Sequence, residues 1–242
     1  MQKVYSQRIK IKKKMKYSLI TPKIEALTTD IRRKIRLSMN GIVSDQMTQS
    51  GIIYKKNYGV SIPRIKEIAS EYTPSHDLAQ NLWNLKIRET MIMATLLEPV
   101  DKFTKETAQI WVDSFNQIEI IEQTSMNLFC KLPFANSLVV EWIQSPKSWT
   151  QITGFILGAR IGNKLSKDET TIIVDKGFEF AITDNLHLYK AVALCLSRFC
   201  RIDKETATYI LKKTELISDI SSISQQYISN EVKQEILFLD IL

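Results

Sequence analysis

The chain has 242 residues, 44% hydrophobic and 24% charged, with 7 glycines and 6 prolines. That composition can bury a sizeable core, is too poor in turn residues for an all-β fold, and contains no apolar run near the ~20 residues of a membrane helix. The formal charge of +7 is uneven: residues 1–40 hold 12 Lys/Arg against Glu25 and Asp30, a net of +10, and the remainder holds 21 against 24, a net of −3.

The first element is a basic tail over residues 1–18, centred on IKIKKKMK at Ile9–Lys16, with Met15 as an alternative start. A charge run of this kind is solvated alone and attracts polyanions. Residues 19–242 are read as one helical domain. Thr21-Pro22 opens a helix with Ile24, Leu27, Ile31 and Ile35 on one face. Arg32, Arg33, Lys34 and Arg36 fill much of the rest, and Gly41 fits a C-terminal stop. Ser61-Ile62-Pro63 begins the next helix, with Pro63 supplying a preset φ where no N–H is needed. Ser75 caps a second, and a third runs from about Lys86 to Glu98 before Pro99.

Beyond Pro99 helices recur in pairs. Thr104–Phe115 precedes Asn116–Lys131, where Asn116 and Glu119 resemble a capping box. Ser137–Gln144 precedes Ser148–Ile161, and Ser166–Ile182, opened by the capping box Ser166/Glu169, precedes Asn185–Cys200. Asp203–Ile217 and Asn230–Leu242 close the chain, and the Ser-, Ile- and Gln-rich segment Ser218–Ser229 between them reads as a connector or a short helix. Second helices begin near residues 85, 116, 148 and 185, a loose two-helix period. One pair is too small to bury its apolar face, so neighbouring pairs stack. The fold expected is an all-α solenoid whose second helices line a concave surface. The glycines of GFILGARIG, Gly154–Gly162, fall in an apolar helix pattern and are read as close-packing positions. Trp83, Trp111, Trp142 and Trp149 stand at core spacing.

Cys130, Cys195 and Cys200 form no CxxC motif and are read as reduced core thiols of a cytoplasmic protein. His76 and His187 lack ligand spacing, and no Gly-rich phosphate loop is present, so neither metal nor cofactor is expected. No apolar segment follows the basic start, so no secretory signal is expected.

The order Gly59-Val60, Pro63, Lys66, then Leu82-Trp83-Asn84-Leu85, then Arg88-Glu89 before an apolar helix resembles the bacterial DNA alkylation-repair glycosylases, the AlkD-like proteins. The resemblance runs from about Asn40 to the C-terminus. It implies a HEAT-like solenoid that binds duplex DNA as a monomer and hydrolyses the N-glycosidic bond of a cationic N3- or N7-alkylpurine. Such a base leaves with little acid catalysis, so one carboxylate beside the oxocarbenium-like sugar suffices, helped by aromatic faces.

Carried over without gaps, the family's Trp and the Asp four residues later fall on Ile118 and Glu122. Its catalytic Arg falls on Ile152, after Trp149, and a further aromatic falls on Leu194. A rival alignment uses Trp111-Val112-Asp113-Ser114 but shifts Thr124–Phe129 out of register. Three family positions therefore lack their chemistry. Glu122 reads either as the catalytic carboxylate or, with Glu119, as a polar position of an amphipathic helix. Lys86, Arg88, Lys131, Arg160, Lys190 and Arg198, with Arg32, Arg33 and Arg36 of the first helix, are candidate phosphate contacts. The function expected is DNA binding with glycosylase ancestry and reduced, altered or absent catalysis. The alternative is a non-catalytic scaffold that holds a protein partner in its groove, motivated by the net acidity after residue 40. No membrane partner is expected.

Overall fold

The computed structural model describes residues 21–217 and 222–240, so the basic tail lies outside the described residues. Thirteen α-helices and three short 3₁₀ turns make up this part. Two helices open it, α1 (Pro22–Leu37) and α2 (Gly41–Gln49), followed by α3 (Ile62–Ser70). Five pairs follow: α4 (His76–Asn84) with α5 (Arg88–Leu97), α6 (Lys105–Val112) with α7 (Ile118–Asn127), and α8 (Ala135–Trp142) with α9 (Ser148–Ile161). The last two are α10 (Lys167–Glu179) with α11 (Leu186–Phe199), and α12 (Lys204–Leu216) with α13 (Ile223–Leu239). Second helices begin at Arg88, Ile118, Ser148, Leu186 and Ile223, spaced 30, 30, 38 and 37 residues apart.

Local sequence explains most of these starts. The hydroxyls of Thr21, Ser61, Ser75 and Thr104 accept from backbone N–H groups in the first turns of α1, α3, α4 and α6. Ser166 and Glu169 form the reciprocal capping box of α10. Two readings are corrected. Gly41 does not stop α1: Ser38 ends it, and Gly41 is the first residue of α2, capped by the Asn40 side chain. Asn116 and Glu119 form no capping box; Gln117 is the N-cap of α7, without a side-chain bond, because Glu119 is held by Arg88. Of the Ser218–Ser229 segment, which the sequence leaves open between connector and short helix, the described part from Ile223 is helix and runs on as α13, since Ser222 caps it and Gln225, Ile228 and Val232 on its inward face are buried.

The second helices α5, α7, α9, α11 and α13 pack successively on one another, more closely than the first helices α4, α6, α8, α10 and α12 do. Closer packing in one row bends the stack toward it, which makes the second helices the inner row of the solenoid. Two indole bonds set the register of the outer row. Trp111 Nε1–H donates to Gln80 Oε1 at 3.2 Å, and Trp142 Nε1–H to Gln109 Oε1 at 2.9 Å. Each links a first helix to the first helix of the preceding pair. Trp83 and Trp111 stack with centroids 3.8 Å apart and planes 2° from parallel. The glycine reading also holds: a Cβ on Gly154 would lie 2.8 Å from Ile143 Cγ2, and one on Gly158 3.3 Å from Cys195 Sγ. Cys195 and Cys200 are buried and Cys130 is half-buried.

Candidate functional site

The inner row leaves a narrow line of accessible side chains. On α11, His187, Lys190, Leu194 and Arg198 are exposed, whereas the residues between them from Leu188 to Ser197 are buried. Spacings of three and four residues put the exposed four on one helix face. On α9, Arg160 is exposed near the C-terminal end, and Trp149 is half-buried with its ring 5.4 Å from that of His187. On α7, Glu122 is exposed and Ile118 half-buried. The crowded surroundings of Glu122 raise its carboxyl above the ordinary range; Arg160 pulls it back down and Glu119 pushes it up.

Carboxylates are unevenly spread along the inner row: α7 carries Glu119 and Glu122, and α13 Glu231 and Glu235. Helices α9 and α11 contain no Asp or Glu, whereas the outer helix α10 carries Asp168, Glu169, Asp175 and Glu179. The net acidity after residue 40 thus coexists with a basic inner stripe, because field follows distribution and not sum.

Ile152, at the family's Arg position, is buried in the core, while Leu194 stands on the exposed stripe. In the rival alignment, Trp111 is fully buried, and Asp113 pairs with Lys147 at 2.7 Å on the outer row. Lys131 is exposed after α7, with its side chain in solvent. Lys86, in the left-handed region at φ 55°, is half-buried with Nζ 5.2 Å from the Trp83 ring centroid, and burial lowers its pKa.

Arg88 differs from the expectation. It is turned inward and only 3% exposed, so it offers nothing to a phosphate. Its Nε and Nη2 donate to Glu119 at 2.8 and 2.6 Å, and its Nη1 donates to the Val60 carbonyl at 2.9 Å and to Glu89 Oε1 at 3.1 Å. Glu89 in turn accepts from the backbone N–H groups of Tyr58 and Val60, and the Tyr54 hydroxyl donates to Glu119. The Arg88-Glu89 pair therefore clamps the Tyr58–Val60 turn to α5 and α7. The sequence motif that prompted the resemblance is a structural device at this point. Its signal in the sequence was the charged dipeptide at the head of an otherwise apolar helix.

The first-helix cations also divide. Arg33 pairs with Asp30 at 2.8 Å, and Lys34 bridges Asp30 and Glu71. Arg32 is half-buried, and Arg36 is exposed with Nε 3.4 Å from the Tyr58 hydroxyl. Tyr58 and its neighbour Lys56, whose Nζ lies 4.9 Å from the Tyr58 ring centroid, were not singled out in the sequence. Among the described residues, no group of three or more His, Cys, Asp or Glu is placed to hold a metal ion. Nor is any of their helices long and apolar enough to cross a membrane.

No curated protein matches the chain in sequence. Among solved structures, the chain is similar to a member of a new family of proteins related to the HEAT-like repeat DNA glycosylases with affinity for branched DNA structures. The TM-score is 0.73 at 11% identity, over 86% of this chain and 94% of the other, which establishes the HEAT-like fold. The family described as DNA alkylation repair enzyme matches residues 40–208, a span that takes in the Tyr58–Val60 clamp and the whole α7–α9–α11 stripe, and the chain belongs to that family.

Proposed function

We propose that the protein binds DNA along its inner row, through Arg160, Lys190 and Arg198 with Lys131 as a further contact, and that its glycosylase chemistry is reduced, altered or absent. The observation that carries this reading is the stripe itself: exposed cations on two adjacent inner helices that hold no carboxylate. Family membership supports a DNA partner, and the affinity of the structural neighbour for branched DNA extends the candidates to forks and junctions beside intact and abasic duplex.

Two observations support weakened catalysis. Ile152 lies in the core, and Leu194 is aliphatic where an aromatic face would attract a developing cation. Glu122 is the carboxylate next to Arg160 on the inner row and is the residue on which any remaining activity would depend. The protein is further proposed to act as a cytoplasmic monomer, in keeping with its buried free thiols.

The test is binding of fluorescent duplex across a salt series, with Arg160, Lys190 and Arg198 replaced together by Ala. Loss of three phosphate contacts should flatten the logarithmic salt slope by roughly 3. An unchanged slope sinks the inner-row assignment and directs the search to a protein partner. Robust excision of N3-methyladenine, abolished by Glu122→Gln, would overturn the loss of catalysis.

A further inference from the structure

The elbow between α1 and α2 carries three large apolar side chains into solvent. Leu37 is 75% exposed, Met39 66% and Ile42 73%. No residue of α2 is buried, so this helix contributes almost nothing to the core. The elbow is nevertheless firmly attached. The Asn40 N–H donates to the Tyr58 carbonyl at 2.8 Å, the Ser44 hydroxyl to the Asn57 carbonyl at 3.1 Å, and Arg64 Nε to the Ser38 hydroxyl at 3.1 Å. A rigid mount that presents Leu, Met and Ile to water is not explained by folding.

Cations stand beside it. Arg36 immediately precedes the elbow and reaches the Tyr58 hydroxyl, and Lys56 lies against the Tyr58 ring. Among the described residues neither Arg36 nor Lys56 pairs with a carboxylate, in contrast to Arg33 and Lys34 one turn earlier. Burial pushes the Tyr58 phenol up, but Lys56 and Arg36 outweigh it and hold it below its ordinary value, a sign of uncompensated positive charge. Positive charge next to protruding aliphatic groups is complementary to DNA at a break in its stacking. Phosphates take the cations, and an exposed base face takes the apolar tip that an intact duplex would exclude.

We infer that the α1–α2 elbow is a second DNA contact, in which Arg36 and Lys56 hold phosphate and Leu37, Met39 and Ile42 cover the exposed base pair of a branched or interrupted duplex. The inference rests on the DNA-binding reading above and adds to it the element that selects branched over intact DNA.

The experiment compares the full chain with Leu37→Ser/Met39→Ser/Ile42→Ser and with Arg36→Ala/Lys56→Ala, on an intact duplex and on a three-way fork of matched sequence. Because all five side chains are at the surface, both variants should melt like the parent, and thermal unfolding checks this. The apolar variant should lose roughly fivefold or more on the fork, with intact-duplex binding unchanged. The charge variant should weaken on both and flatten the salt slope by roughly 2. Fork preference that survives in the apolar variant, or a parent without fork preference, overturns the elbow assignment while leaving the inner row standing. A parent that binds no DNA overturns both. If the apolar variant instead only converts a dimer to a monomer in sedimentation, the face belongs to a second copy and the inference is wrong.

Discussion

Arg88 and Glu119, 31 residues apart, meet in a two-point ion pair with donor–acceptor distances of 2.8 and 2.6 Å. Arg88 lies in the first turn of α5 and Glu119 in the first turn of α7, so the pair welds two inner helices at their N-terminal ends. Glu89 and Tyr54 join from either side. Replacing Arg88 by Met should cost about 3–5 kcal/mol in urea unfolding, because two carboxylates lose their shared cation in a buried setting. The folded fraction should bind DNA as the parent does. Weakened DNA binding at unchanged stability would return Arg88 to the phosphate contacts.

Gly59 has φ 67°, and a Cβ there would lie 2.1 Å from the Asn40 carbonyl oxygen and 2.7 Å from the Ser44 nitrogen. Gly59→Ala combines a left-handed backbone penalty with a clash against backbone that is itself hydrogen-bonded. The expected destabilisation is roughly 2–4 kcal/mol. Hydrogen exchange should show the loss concentrated in α2 and its junction with α1. Uniform protection with a parental melting temperature would refute it.

The indole ladder gives a repeat-by-repeat measure of register. Gln109→Leu leaves the Trp142 N–H unpaired and should cost about 1–3 kcal/mol. Both glutamines also donate from Nε2, Gln80 to Glu98 Oε2 at 2.9 Å and Gln109 to Asp113 Oδ1 at 3.0 Å, but Glu98 is buried and Asp113 exposed, so Gln80→Leu should cost more. Equal costs in denaturant titrations would show that the buried Glu98 arm contributes no more than the exposed Asp113 arm.

Glu98 supplies a pH dependence. Its carboxylate is buried, with Oε1 2.6 Å from His76 Nδ1. Burial raises its pKa above the ordinary 4.5, partly countered by His76 and then by Gln80. Between the ordinary and the raised value the unfolded chain releases its proton first, so native stability falls as pH rises through that window. Glu98→Gln should remove that fall. The stability of the parent relative to this variant should therefore decline as pH rises upward from about 4.5. A difference that stays flat with pH in matched thermal melts would contradict the raised carboxyl.

Much of this architecture is written in short-range chemistry. Ser61, Ser75, Thr104 and the Ser166/Glu169 box act on N–H groups three residues away, so a cap is recognisable without knowing the fold. Gly154 and Gly158 stand out for a similar reason, being small residues in an otherwise large apolar pattern. Gly41 misled, and Ser218–Ser229 stayed open between connector and helix, because Gly and Ser serve starts, stops and loops alike. The choice there was made by contacts: Asn40 is held by Tyr58, and Ser224 by the Ala181 carbonyl 43 residues away.

The candidate site was only half legible. Lys190, Leu194 and Arg198 follow from helical spacing, since three- and four-residue steps put them on one face. Arg88 has the same composition-level credentials as Arg198, yet the structure buries it. A charged side chain goes inward only where counter-charges wait, and Glu119 lies in the next helical pair. Spacing and capping determined by themselves that the chain is a stack of helix pairs, and the ordered Gly-Val, Leu-Trp and Arg-Glu motifs determined its family resemblance. Which cations face water, which carboxylates they neutralise, and that α9 and α11 form a carboxylate-free inner face were decided by tertiary structure alone. Ion pairing and desolvation depend on distances between residues 30 or more apart in the chain, and local periodicity carries no such information.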